Sequence, residues 1–92
     1  MKRIAVLLGE RERYSEGLRM AAGLSLLEDK VDVYLLNGDF AEADMPAAEN
    51  SLDMMRAVGI GFYSNFKKDG FVYISGSDMG KNLLKYDYLL SY

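Results

Sequence analysis

Three short clusters hold the groups of this chain best suited to meeting a ligand: Gly9-Glu10-Arg11, Asn37-Gly38-Asp39 and Ser64-Asn65. Together they supply two carboxylates, a guanidinium, a hydroxyl and several amides, a set that suits a small polar pocket for an anion. Each follows an apolar run. In open parallel sheets ligands gather beyond the carboxyl ends of the strands, where helix N-termini and turn amides converge. The same residue types are also favoured in ordinary turns, so their presence alone does not demand a ligand. Chemistry beyond binding is restricted by composition. The chain has no cysteine and no histidine, so it offers no thiolate, no persulfide, no imidazole base and no Cys/His zinc site. Its carboxylates work as general acids or bases only where burial or like-charge pairing lifts them well above about pH 4. No catalytic residue, metal ligand or cofactor is assigned, and the reading leans away from an enzyme.

Other suggestive spacings fail on inspection. Glu10-Arg11-Glu12-Arg13 alternates charge beside a helix start, and its glutamates oppose the helix dipole without any ligand. Gly76-Ser77-Asp78-Met79-Gly80-Lys81 looks like a phosphate loop but has one residue too few between its glycines, and Asn82 follows the lysine where Ser or Thr is needed. Gly59-x-Gly61 follows a helix and precedes a strand, the reverse of a dinucleotide fingerprint.

The elements that must position these clusters follow from hydrophobic pattern. Ile4 to Leu8 is continuously apolar and ends at Gly9, the signature of a strand buried on both faces and here expected at the centre of the sheet. A Leu/Ala-rich helix is expected from about Tyr14 to Glu28. Glu12, Glu16, Arg19 and Gly23 form its narrow polar strip, and Met20, Leu24 and Leu27 are part of a broad apolar remainder. One sheet contact covers only about a third to a half of such a circumference, so a neighbouring helix or a second subunit is expected to cover the rest. Val31 to Leu36, interrupted only by Asp32, is the second strand. Pro46 suits the first turn of a second helix over Ala47 to Val58, with Gly59 as its stop. Ile60 to Tyr63 and Phe71 to Ile74 read as strands, Ser77 or Asp78 as the cap of a short helix, and Tyr88 to Tyr92 as a closing strand. Strands alternating with helices predict one α/β domain over residues 1–92, a three-layer sandwich with a mainly parallel sheet of four to five strands, in the manner of flavodoxin-like folds.

At 92 residues the chain buries only about 60 to 65% of its unfolded surface, so association with further copies is a natural source of stability. A net charge of −3 argues against nucleic acid as a partner. The apolar run after Met1-Lys2-Arg3 is too short for a signal peptide, and no apolar stretch reaches membrane-spanning length. The expected setting is cytoplasmic, with no membrane partner.

The order of these pieces resembles the DsrE/DsrF-like family, which includes the TusD-type sulfur-relay proteins. The resemblance rests on the first strand, the Leu/Ala-rich helix, Val31 to Leu36 with Asn37-Gly38-Asp39, Val58-Gly59-Ile60, and the ending Asn82-Leu83-Leu84-Lys85-Tyr86-Asp87-Tyr88-Leu89-Leu90-Ser91-Tyr92. It implies a small cytoplasmic α/β protein of a family that assembles as trimers or hexamers, and the expected partners here are further copies, as a dimer, trimer or hexamer, or paralogous subunits. Some members carry sulfur on a cysteine just after a middle strand. Here that place falls at Tyr63-Ser64-Asn65, and a hydroxyl cannot form a persulfide. The resulting expectation is a non-catalytic, cysteine-less member. The alternative is a small-anion binding protein or enzyme using Glu10, Arg11, Asp39 and Ser64.

Overall fold

A computed structural model describes residues 2–27 and 29–92. The strands are β1 (Arg3–Leu8), β2 (Lys30–Leu35), β3 (Gly61–Ser64), β4 (Val72–Tyr73) and β5 (Tyr88–Ser91), and the helices are α1 (Tyr14–Ser25), α2 (Met45–Ala57) and α3 (Gly76–Leu83). Single 3-10 turns at Arg11–Arg13 and Glu42–Asp44 lead into α1 and α2. All five strands form one parallel sheet in the order β4-β3-β2-β1-β5. The middle strand is β2, not β1 as expected, because β3 and β4 both add beyond β2; β1 is interior, with β5 on its other side.

Alternation along the strands divides the core between the two faces of the sheet. Ile4, Val6, Leu8, Val31, Val33, Leu35 and Phe62 meet Leu18 and Ala21 of α1 and Leu52 and Met55 of α2. On the opposite face Ala5, Tyr34 and Ile74 meet Met79 and Leu83 of α3. Right-handed crossovers place the helices so: β1 to β3 advance one way across the sheet, and the β4–α3–β5 link crosses back over the other face. Gly17 lets α1 sit close to β1, since a Cβ there would collide with the Leu8 side chain and come within 3.2 Å of Tyr92.

Three sequence expectations about helices change. α1 ends at Ser25, whose Oγ donates to the Ala22 carbonyl at 2.8 Å, and the expected end at Glu28 lies outside the described residues. Only Tyr14, Gly17, Leu18 and Ala21 of α1 are buried, while Met20 and, past the helix end, Leu27 stand exposed, so the described residues do not cover this helix on more than one side. The cap of α3 is Ser75, whose Oγ accepts the Asp78 N–H at 3.3 Å; Ile74 holds the preceding backbone extended in the core, which starts the helix earlier than Ser77. Pro46 lies in the first turn of α2 and Gly59 adopts φ +93 just past its end, as the pattern predicted. No helix among the described residues is long and apolar enough to cross a membrane.

Candidate functional site

Parallel pairing of three neighbouring strands puts their tips side by side: Leu8 aligns with Leu35, and Leu35 with Ser64. The clusters Gly9-Glu10-Arg11, Asn37-Gly38-Asp39 and Ser64-Asn65 therefore share one rim. What their groups bond to is the chain itself. Arg11 donates from Nε and Nη2 to the Asp39 carbonyl at 3.1 and 2.9 Å, its guanidinium lying against Gly38. The buried Tyr14 hydroxyl donates to the Gly38 carbonyl at 3.1 Å and accepts the Asn37 N–H at 3.2 Å. Ser64 is fully buried and its hydroxyl donates to the Phe66 carbonyl. Asn65 donates from Nδ2 to the Leu36 carbonyl at 3.2 Å.

The Asp39 carboxylate accepts the Phe40 N–H at 2.8 Å and the Lys68 ammonium at 2.9 Å. Burial alone would raise its pKa, but the Lys68 and Phe40 hydrogen bonds and the Lys68 and Arg11 charges outweigh that and hold it below the usual carboxylate range. Lys68 is itself only 7% exposed along its side chain; it reaches Glu49 at 3.4 Å and lies near the rings of Phe40 and Phe71. This lysine, which the sequence shows only as part of a polar link, straps the segment between β3 and β4 onto the end of β2 and onto α2. Beside it lies a polar depression of about 530 Å³ lined by Asp39, Glu49, Lys67, Lys68 and Asp69.

Where strand order reverses, between β1 and β5, an open parallel sheet usually leaves its ligand crevice. Here the Gly9 and Glu10 N–H groups both donate to the Tyr92 carbonyl, at 2.7 and 3.0 Å. The Tyr92 side chain packs against Gly17, and the Arg13 guanidinium lies 5.1 Å from its ring centroid. The amides that could hold an anion are thus occupied.

A second polar cluster, unforeseen from sequence, lies under α3. Asp32, the one interruption in the second apolar run, is 4% exposed and accepts the Tyr86 hydroxyl at 2.5 Å. Because Tyr86 donates there, its oxygen accepts from the Tyr34 hydroxyl at 3.0 Å. Tyr34 stacks on Tyr63 with centroids 4.9 Å apart. Burial, then the hydrogen bonds to Asp32 and Tyr34, push the Tyr86 phenol far above its ordinary range. The cluster joins the start of β5 to the middle of the sheet. Among the described residues no group of three or more acidic side chains is placed to hold a metal ion.

A roomier open feature than the depression beside Lys68 starts next to the rim, at Arg11, Tyr14 and Phe40. Between α1 and α2 runs a groove of about 900 Å³, lined by Leu18, Ala22, Leu26, Ala47, Met54, Val58 and their neighbours. Leu26, Met54 and Val58 are 81, 73 and 65% exposed on it. Comparison with known proteins returns no match, whether to a family model, a curated protein or a solved structure.

Proposed function

We propose that this chain is a non-catalytic, cytoplasmic, DsrE-like assembly domain that works by associating with copies of itself or with paralogous subunits. The observation that carries the reading is the contrast between its two surfaces. At the strand-end rim Arg11, Asp39, Ser64 and Asn65 are engaged by main chain and Lys68. Over the α1/α2 layer, large apolar side chains face water instead. The resemblance of the strand and helix phrases to the DsrE/DsrF-like pattern supports the same reading, as does serine where relay members have their thiol. Ser64, sealed and bonded to the Phe66 carbonyl, is a packing residue in this account. Light scattering coupled to size exclusion tests it: a mass of at least two chains is expected at micromolar concentration. A single-chain mass at every concentration, with no partner needed for folding, would defeat the proposal.

A further inference from the structure

Resting on that assembly reading, we infer that the groove between α1 and α2 is a docking site for a second copy of this chain, which inserts its own α2 ridge of Met54 and Val58 about a two-fold axis. Shape comes first. Met54 and Val58 are one helical turn apart, about 6 Å along the axis, and both project from the groove's edge into solvent. The lining beside them combines exposed small side chains, Ser15, Ala47 and Ser51, with the buried Leu18, Ala48 and Met55, so a ridge that enters meets apolar surface. Each copy carries both the ridge and the hollow that receives it, which is what a two-fold contact requires. Methionine at the ridge adapts its shape to the partner.

Charge selects the occupant. The chain as a whole carries −3 and resists self-association across most of its surface. Around the groove the signs balance, Arg11 and Arg19 against Glu12 and Asp44. Among the described residues, none of these four forms an ion pair within the chain. Two copies facing each other here bring charges of both signs together, Arg19, Glu12 and Asp44 without an ion pair and Arg11 held by the Asp39 carbonyl, whereas a strongly acidic or basic partner would meet repulsion from half of them. The exposed edge of β5, with Leu89, is a competing surface.

The test is sedimentation velocity of the full chain from low to high micromolar concentration, with Met54→Asp and Ala47→Arg in the groove and Leu89→Asp on β5. All three positions are exposed, and circular dichroism checks that each variant keeps its fold. A wild-type dimer weakened about tenfold or more by both groove substitutions, and little changed by L89D, is the expected result. Association that survives M54D and A47R, or that L89D abolishes, overturns the groove assignment while leaving the assembly reading intact. A trimeric mass overturns the two-fold arrangement. A wild-type monomer throughout overturns the self-docking inference and leaves only the paralogous-subunit form of the assembly reading.

Discussion

Removing one oxygen, by Tyr86→Phe, tests the polar cluster beneath α3 most directly. In the native chain the hydroxyl donates to the buried Asp32 carboxylate at 2.5 Å and accepts from the buried Tyr34 at 3.0 Å. After substitution, the nearest cation recorded for Asp32 is Lys30, whose ammonium is 3.9 Å away and half exposed, and the Tyr34 hydroxyl loses its acceptor. A hydrogen bond to a charged group contributes about 1.5–3 kcal/mol and a neutral one about 0.5–1.5 kcal/mol, so the expected loss is about 3 kcal/mol. Total stability for 92 residues is of order 5–14 kcal/mol, which makes this a large fraction. At roughly 4–8 °C per kcal/mol, Tm should fall by about 10–25 °C. Urea and thermal unfolding at neutral pH read the change. Repeating the substitution in an Asp32→Asn background isolates the charge, and the loss there should be smaller by about 1 kcal/mol. Equal losses in both backgrounds, or a loss below about 0.5 kcal/mol in the native one, would refute the reasoning.

Two further outcomes follow from burial. Burial pushes the phenols of Tyr14, Tyr63 and Tyr86 up from their ordinary value near 10, so above about pH 10 the unfolded chain releases protons that the folded chain retains. Stability should be intact below that pH and decline above it, by up to about 1.4 kcal/mol per pH unit for each such tyrosine. Absorbance titration near 295 nm checks this: these phenols should ionise together with unfolding, not before it. Ser64→Cys places a thiol at a fully buried position, and it should react with a thiol reagent far more slowly than the same cysteine in urea. Equal rates in the two conditions would show that the β3 tip is open to solvent.

The architecture was legible because each strand and helix announces itself locally. The apolar runs of β1 and β2, Pro46 and Gly59 sit where the chain uses them, and parallel pairing then brings the three tips together. What sequence could not show is which groups find partners at long range. Arg11 looks like a free anion ligand until Asp39, 28 residues on, turns its carbonyl toward it. Asp32 looks like a flaw in a strand until Tyr86, 54 residues on, supplies a hydroxyl. Lys68 has no periodicity to mark it, yet it is the most deeply placed cation of the rim. The breadth of apolar surface on α1 was visible, but periodicity cannot tell a side chain covered by its own chain from one that waits for another.

The pairing of β5 with β1 has a kinetic corollary. The main-chain N–H of Arg3 bonds the Asp87 carboxylate across 84 residues, and closing a loop of that length costs about 4 kcal/mol in chain entropy. While a nascent chain is being made, β1 must wait with one side bare until Tyr88–Ser91 has emerged from the ribosome. At high concentration the segment Tyr88–Ser91 of one molecule can reach that vacant side in another before its own does, and strand exchange is then the failure mode to watch for during refolding.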